Sequence, residues 1–320
     1  MEGAFEYWRA RGFPHYDLTE SDVKREYEIL VNQPPTSISS TGIVGSTVGL
    51  RLANFFQPQM WSVRVSRYLS PYDIFTSDSH LKAAIERSWR IWPDRIGANP
   101  ATLRRILKTF PGTASVSNFR PTVVRSVVTR FCPKNGLVVD FSAGYGGRLL
   151  GTISVERRYV GIEPCAAQLK GLKRMQVALN ESRPRGDAEV VKGCAEDLMP
   201  LLSRGSADLI FSSPPYFDWE KYSHDKSQSF VRYPTYEAWR EGFLHQILRE
   251  SARVLRRGGH LVLNVSDGRR KPNAQEVTKL CKAVGLRYKG YVPLMITRVP
   301  YMHPRNERPH KSEVLLVFVR

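Results

Sequence analysis

Cysteine is scarce in this sequence, with 4 residues among 320, and long apolar runs are absent. The four cysteines show no C-x-x-C spacing, which excludes a zinc ribbon and the disulfide framework of a small secreted domain. The seven histidines are dispersed, and none has the spacing of a metal site. No segment approaches 18 uninterrupted apolar residues, and the first residues, MEGAFEYWRARGFPHYDL, lack an apolar targeting core. We therefore expect a soluble intracellular protein with no metal site and no membrane partner.

Acidic residues are also few, since 30 Asp and Glu face 48 Lys and Arg. The formal net charge is +18 and the isoelectric point is near 9.9. The excess is concentrated towards the C-terminus, where residues 269–320 hold twelve basic and three acidic side chains. Such a balance favours an anionic partner, which could be nucleic acid, a phosphate ligand or an acidic membrane surface.

The sequence pattern changes near residue 117. Residues 1–117 are mixed and mainly helical, with a Ser/Thr/Gly-rich passage at 36–49, whereas short apolar segments alternate with helical ones from Pro121 onward. This alternation predicts an α/β fold with a doubly wound, Rossmann-like sheet of about seven strands that ends in an antiparallel hairpin. Long helices are expected at 121–132, 166–182 and 237–259. The predicted strands are GLVVDFS (136–142), RRYVGIEP (157–164), AEVVKGC (188–194), ADLIFSS (207–213), GHLVLNVS (259–266), LRYKGYVPLMIT (286–297) and SEVLLVFVR (312–320).

A glycine-rich loop follows the first of these strands, in VVDFSAGYGGRLLG. Asp140 ends the strand, and Gly144 and Gly146 would let the backbone approach a ligand closely. The next strand ends in Glu163, whose carboxylate can accept two hydrogen bonds from a ribose diol. Together these features indicate an adenosine-containing cofactor, and NAD and S-adenosylmethionine both satisfy them. The third strand ends in KGCAED, close to where an adenine edge would lie, although its acidic residues could equally cap the following turn.

The fourth strand stops at Ser213-Pro214-Pro215-Tyr216. Proline fixes φ and removes the N–H donor, so this segment is stiff and presents carbonyl oxygens alone. Rigid acceptors suit an amino group: Ser213 Oγ and the Pro214 carbonyl could accept both N–H bonds of an exocyclic base amine and free its lone pair for attack on a methyl group. Tyr216 would stack on the face of an extruded base.

These residues resemble the amino-methyltransferases that act on DNA and transfer a methyl group from S-adenosylmethionine to cytosine N4 or adenine N6. The resemblance covers about residues 118–268, and the family it points to includes phage and bacterial members. A protein from such a source would be cytoplasmic. The resemblance implies a Rossmann-like methyltransferase domain at 118–320 and an accessory region at 1–117, as a candidate for target recognition. The matching segments are NFRPT (118–122), DFSAGYGG (140–147), GIEP (161–164), SSPPY (212–216) and RVLRRGGHLVLNVSD (253–267).

The resemblance assigns roles residue by residue. Serine at the first position of the proline motif favours cytosine N4 over adenine N6. The sequence departs from the family at Cys194, where family members commonly have an acidic residue that contacts adenine. Ala195 or Glu196 would make this contact instead. The implied catalytic residues are Ser213, Pro214, Pro215 and Tyr216. The implied cofactor-binding residues are Asp140, Phe141, Ser142, Ala143, Gly144, Gly146, Glu163, Pro164, Ala195, Glu196 and Arg120.

The resemblance implies DNA as the partner, with RNA as the alternative substrate. Residues 217–239 interleave aromatic and charged side chains, as a lid or substrate loop would, or else form a packed flap. A catalytically inactive nucleic-acid-binding module is the hypothesis from a different class. A nicotinamide enzyme is the least favoured, because the glycine spacing differs from G-x-G-x-x-G and the SPPY motif would be unexplained.

Overall fold

The computed structural model describes residues 2–39, 41–91, 99–182, 187–219, 225–266, 272–295 and 313–320. The chain divides into two compact units. The small unit comprises Met1–Asp17, Pro58–Ser117 and Asp218–Tyr222, and the sheet unit comprises Leu18–Gln57, Asn118–Phe217 and Ser223–Arg320.

The described residues form fourteen α-helices and eight strands. The helices are α1 (Glu2–Arg11), α2 (Glu20–Asn32), α3 (Leu50–Phe55), α4 (Pro71–Thr76), α5 (Asp78–Ile91), α6 (Pro100–Thr109), α7 (Pro121–Phe131), α8 (Gly147–Ile153), α9 (Ala166–Ser182), α10 (Ala195–Leu198), α11 (Ser229–Arg232), α12 (Tyr236–Trp239), α13 (Gln246–Val254) and α14 (Ala274–Ala283). The strands are β1 (Ile43–Val44), β2 (Leu137–Asp140), β3 (Arg158–Glu163), β4 (Ala188–Lys192), β5 (Ala207–Ser212), β6 (Leu255–Ser266), β7 (Arg287–Met295) and β8 (Glu313–Val319).

The eight strands form one sheet in the order β1-β7-β8-β6-β5-β2-β3-β4. Strand β8 runs antiparallel to both of its neighbours, and every other pair is parallel. The doubly wound sheet and its C-terminal antiparallel hairpin, both predicted from the sequence, are thus confirmed.

Helices cover both faces of this sheet because the strand residues alternate between two cores. Val138 packs with α7, α8 and α9 on one face, while its neighbour Val139 packs with α13 and α14 on the other. Leu209 and Ile210 of β5 alternate in the same way. Strands that are buried on both faces read as continuous apolar runs, which is why the sequence revealed them so clearly.

One strand was not predicted. Strand β1 lies within the Ser/Thr/Gly-rich passage. Its two residues pair in parallel with Leu294 and Met295 at the edge of the sheet. Two residues carry no periodicity, so the sequence offered no signal for this strand.

The long helix expected at 237–259 ends earlier, at Val254. Leu255 begins β6 and pairs with Ala207 of β5, so the RRGG segment belongs to the strand and not to the helix. Gly258 there has a φ of 76° and its N–H donates to the Arg320 carbonyl. Residues Arg240–His245 within the remaining helical stretch form a π-helical turn.

Residues 18–57 belong to the sheet unit, although the sequence placed them with the N-terminal accessory region. The reason is a buried guanidinium: Arg125 of α7 donates to the carbonyls of Val31 and Gln33 at the end of α2, at 3.1 and 2.6 Å. It also donates to Ser154. Apolar side chains of α2 and α3, including Leu30 and Leu52, share the core of the sheet. The second segment of the small unit ends at Ser117, and the sheet unit resumes at Asn118.

The small unit is helical in its described part. Helices α1, α4, α5 and α6 enclose a core that includes Trp8 and Ile74, both fully buried. Ser70 caps α4 in a capping box with Asp73, and Asn99 caps α6. Within the described ranges no helix combines the length and apolarity needed to cross a membrane.

Helices α7 and α8 pack so closely that glycine is required between them. An added Cβ at Gly151 would lie 2.4 Å from Val124 Cβ and 2.7 Å from the Pro121 carbonyl oxygen. We predict that Gly151→Ala lowers the free energy of unfolding by about 1–3 kcal/mol, because overpacking forces backbone shifts. Urea denaturation measures this loss. Gly3→Ala on α1 is the control, since nothing lies within 4 Å of its added Cβ, and equal losses in both variants would contradict the prediction.

Candidate functional site

The candidate site lies at the carboxyl ends of the parallel strands. From β2 the chain proceeds to β3 and β4 on one side and then to β5 and β6 on the other, so the strand order reverses between β2 and β5. Ligands of doubly wound sheets bind outside the strands at this point. The glycine loop follows β2 and the SPPY motif follows β5, so both motifs flank the position of reversal.

Two glycines of the loop have a left-handed backbone conformation. Gly144 and Gly146 have φ values of 59° and 83°, which favour glycine. At Gly146 an added Cβ would also lie 2.8 Å from Met175 Cε of α9, whereas at Gly144 it would meet only the Ser142 carbonyl, at 3.6 Å. Gly146 therefore serves helix packing, while Gly144 leaves open space beside the loop.

Asp140 is the centre of a buried hydrogen-bond network. Its Oδ2 accepts from Arg148 Nε and from the Tyr159 hydroxyl, both at 2.8 Å. Its Oδ1 accepts from Ser212 Oγ at 2.7 Å and from the Ser142 N–H at 3.2 Å. These four donors match the acceptor capacity of a carboxylate, and the residue is fully buried. Asp140 therefore organises the site through its side chain, and the cofactor contact expected from the sequence stays a prediction.

The partners of Asp140 connect separate parts of the fold. Arg148, at 7% exposure, lies in α8, and its guanidinium also donates to the Ser142 carbonyl. Burial and the Asp140 charge raise the pKa of Tyr159 well above its ordinary value, so this phenol stays protonated and donates. Ser212, in β5, joins the network directly beside Ser213. No role was predicted for Arg148, Tyr159 or Ser212, since pairing between distant residues leaves no local pattern.

Glu163 has a different environment from Asp140. Its Oε2 accepts from the Gly144 N–H at 2.8 Å and its Oε1 from the Cys165 N–H at 2.9 Å. Burial, with the Asp140 charge contributing, raises the pKa of Glu163 to about 7. Two of its four acceptor positions are filled within the described chain, which leaves two for ligand donors such as hydroxyl groups.

The NFRPT segment contacts the glycine loop through Asn118. The Asn118 side chain donates to the Tyr145 carbonyl and accepts from the Gly147 N–H, both at 2.9 Å. Arg120, which the sequence suggested for a cofactor carboxylate, donates to the Gly45 carbonyl, and burial lowers its pKa. The position of Asn118 within NFRPT predicts no such role, because the contacts of its amide oxygen and nitrogen with the loop arise only in the fold.

The SPPY motif begins with a half-buried serine and continues into buried side chains. Ser213 Oγ donates to the Asn264 carbonyl of β6 at 3.3 Å, and Asn264 Nδ2 lies 3.5 Å from Ser213 Oγ and 3.2 Å from Glu313 Oε2. Because this contact uses the single hydroxyl hydrogen of Ser213, its oxygen remains an acceptor. Tyr216 is 8% exposed, and Phe217 after it has a φ of 36°, a strained value for a bulky side chain.

The end of β4 is bound to the segment Asp225–Trp239. Arg232 contacts Glu196 at 3.0 Å and forms two hydrogen bonds to Asp197, at 2.6 and 2.8 Å. The Cys194 thiol lies 3.4 Å from the Ser227 carbonyl. Burial raises the pKa of Glu196, which is 3% exposed, and the Arg232 charge opposes this effect. Arg232 thus holds the acidic residues that the sequence placed near an adenine edge.

The remaining predicted site residues have the following positions. Phe141 and Ala143 are buried in the two cores that line the sheet, and Ala195 is buried at the start of α10. The Pro164 carbonyl lies 3.5 Å from Ser227 Oγ. Of the expected lid at 217–239, residues 220–224 lie outside the described residues. In the part that is described, no group of three or more His, Cys, Asp or Glu residues could hold a metal ion.

The sequence matches no protein-family model and no curated protein. Similar solved structures include a TehB-like SAM-dependent methyltransferase from Corynebacterium glutamicum, at 12% identity over 76% of this chain and 100% of that chain, with a TM-score of 0.38. A SAM-dependent methyltransferase from Methanosarcina mazei is 12% identical over 61% and 96%, with a TM-score of 0.43. A geranyl diphosphate methyltransferase in complex with SAM is 14% identical over 62% and 85%, with a TM-score of 0.41. At this distance no conclusion about activity follows from them.

The Asp140 network predicts a stability effect. Asp140→Asn removes the buried carboxylate that accepts from Arg148 Nε at 2.8 Å, and we expect the free energy of unfolding to fall by about 3–5 kcal/mol. Asp197→Asn is the control, because its carboxylate is 53% exposed and water screens its pair with Arg232, so the loss stays below about 1 kcal/mol. Urea denaturation compares the two variants. Equal losses would show that Asp140 doesn't organise the site.

Proposed function

We propose that this protein is an S-adenosylmethionine-dependent methyltransferase that methylates the exocyclic amine of a DNA base, with cytosine N4 preferred. The observation that carries the proposal is the hydrogen bond between Ser212 Oγ and Asp140, at 2.7 Å. This bond joins the strand of the SPPY motif to the strand of the glycine loop. A candidate acceptor site for an amine and a candidate cofactor loop therefore share one rigid framework.

The residues present fit S-adenosylmethionine. Gly144 leaves open space beside the loop, and Glu163 keeps two acceptor positions for the hydroxyls of a ribose. In this proposal Ser142, Ala143 and Gly144 hold the methionine end, and Ala195 and the segment after β4 lie beside the adenine. When bound, the cofactor supplies a methyl group made electrophilic by a sulfonium centre.

Ser213 would orient the amine of the substrate. Its hydroxyl hydrogen is directed to the Asn264 carbonyl, so Oγ can accept one N–H bond of the amine while the Pro214 carbonyl accepts the other. Two acceptors on one nitrogen favour a tetrahedral arrangement and release its lone pair for attack. Asn264 and Glu313 support the serine from behind, as positioning residues.

Tyr216 would stack on the extruded base. Because its ring is 8% exposed, stacking in this proposal requires a change at Phe217, whose φ of 36° places it in a sparsely populated region. Strain of this kind is common at sites where a segment must adopt two conformations.

Two features support nucleic acid as the substrate. The net charge of +18 attracts a polyanion, and the residues of the SPPY motif resemble those of DNA amino-methyltransferases. The serine favours cytosine, so adenine N6 and RNA bases are the alternatives that the experiment must distinguish. A role of residues 1–117 in target recognition stays a prediction.

Ser213→Ala tests the proposal. We expect the rate of tritiated methyl transfer from S-adenosylmethionine to DNA to fall at least 100-fold, because removing one preorganised hydrogen-bonding group from a reacting centre commonly has this effect. Affinity for DNA should be unchanged. Ser203→Ala, in the exposed loop before β5, is the matched control and should retain full activity.

The outcomes separate the alternatives. Mass spectrometry of nucleosides from treated DNA distinguishes N4-methylcytosine from N6-methyladenine, and a parallel reaction with RNA tests the other substrate. Equal activity of Ser213→Ala and the unchanged protein would contradict the proposed role of the serine. DNA binding without methyl transfer by the unchanged protein would indicate a binding module.

The pKa of Glu163 predicts that cofactor affinity depends on pH. Ribose hydroxyls donate to the ionised carboxylate, but with a pKa of about 7 the carboxyl group is largely protonated below that pH. The dissociation constant for S-adenosylmethionine should therefore fall roughly 15-fold between pH 5.5 and 7 and level off above 7. Calorimetry measures this dependence. Glu163→Gln should bind more weakly with no such slope, and a steep slope in that variant would assign the titration to another group.

A further inference from the structure

A surface groove of about 510 Å³ lies between helix α14 and strands β7 and β8 of the sheet unit. None of the residues assigned above to cofactor or amine lines it. Its walls include Lys279 and Lys282 of α14 and Tyr288 and Tyr291 of β7, and we name it the Lys–Tyr groove after these four residues. Ligand sites of proteins commonly have volumes of this order.

The lysines share one face of α14. Thr278, Lys279 and Lys282 all line the groove, with Gln275 one turn before them, at spacings of three and four residues that place side chains on the same side of a helix. The opposite face carries Val277 and Cys281, which are fully buried. Both lysines are exposed, and among the residues described neither pairs with a carboxylate. Their charges are therefore available to an anionic ligand.

A β-bulge brings the two tyrosines to the same side of the sheet. Residues three apart on a regular strand point to opposite faces, but the register of β7 shifts between Tyr288 and Gly290. Tyr288 therefore pairs with Phe318 and Tyr291 with Leu316, two residues of β8 that share a face. Tyr291 is 60% exposed, so its ring is accessible within the groove, whereas Tyr288 is 36% exposed and its ring contacts Phe318 and Lys282.

The floor of the groove is apolar. Val314 and Leu316 of β8 line it and are only 3% and 2% exposed. The groove thus combines an apolar floor, tyrosine rings of which Tyr291 is the more exposed, and two ammonium groups. A ligand that matches all three carries planar rings and regularly spaced negative charges.

We propose that the Lys–Tyr groove binds single-stranded DNA outside the reaction site. Unpaired bases stack on aromatic rings, and phosphates contact lysine ammonium groups, which is the usual chemistry of single-strand binding. Bases within a duplex don't offer their faces for stacking, so the tyrosines select unpaired strands. The choice of DNA rests on the proposed function, since the groove would hold a strand of the same substrate whose base reaches Ser213.

Fluorescence anisotropy with a fluorescein-labelled 15-nucleotide oligothymidylate tests the stacking contact. Tyr291→Ala should weaken binding at least fivefold, because base–aromatic stacking contributes that much or more to affinity. Tyr291→Phe keeps the ring and should bind as the unchanged protein does. Tyr7→Ala, at a tyrosine of α1 that is 40% exposed, is the control outside the groove.

The salt dependence of binding tests the phosphate contacts. Replacing Lys279 and Lys282 together by alanine should reduce the slope of log K against log salt concentration by about 1.4, since each phosphate contact on a single strand contributes about 0.7. Lys170 and Lys173 of α9 are the matched control pair, because they are also exposed and three residues apart. Their replacement should leave the slope unchanged.

Unchanged affinity in Tyr291→Ala would overturn the inference. The same variants are tested with duplex DNA, a 15-nucleotide oligouridylate and thymidine monophosphate. The inference would also be overturned if the variants lost affinity for one of these ligands and not for oligothymidylate. The proposed function can fail independently of the groove. If the unchanged protein transfers no methyl group but the groove variants lose affinity for the oligonucleotide, the proposed activity is refuted and the proposed binding groove is supported. Methyl transfer with binding unaffected by those variants refutes the groove alone.

Discussion

The Asp140 carboxylate is the interaction on which the site depends. An ionised group that is fully buried destabilises a fold unless its hydrogen bonds are complete, and here four donors from the loop, α8, β3 and β5 surround it. Each donor is itself part of an element that ends at the site. The same contacts therefore pair the carboxylate with Arg148 and align the glycine loop with the SPPY motif. Neither motif can shift without breaking these hydrogen bonds.

Asp140 and Glu163 show why a sequence motif does not define a role by itself. Both are acids that end neighbouring parallel strands, and both were predicted to contact the cofactor. The surroundings differ: Asp140 has an arginine and every acceptor position filled, while Glu163 has two backbone donors and no arginine bonded to it among the described residues. One carboxylate has all its acceptor positions filled in the core, while the other keeps acceptor capacity and burial raises its pKa to about 7.

Much of the fold could be predicted because its signals are local. The strands that carry the motifs are apolar runs ending at glycine, acid or proline, and α7 and α9 have clear helical periods. The features that were missed depend on distant residues. Asn118 and Gly147 are 29 positions apart, and Ser212 and Asp140 are 72 apart, so their pairing follows from the strand order and not from spacing. The end of the long helix at Val254 likewise follows from the pairing of Leu255 with β5.

The bulge in β7 has a second consequence, for self-association. Strand β7 lies near one edge of the sheet, and in the described chain β1 covers only its last residues, Leu294 and Met295. An uncovered edge can pair with the edge of another molecule and seed aggregation. Here the uncovered length contains the irregular register at Gly290, the charged side chains of Arg287 and Lys289, and Pro293, which lacks an N–H. These features disfavour edge-to-edge pairing along the uncovered part of β7.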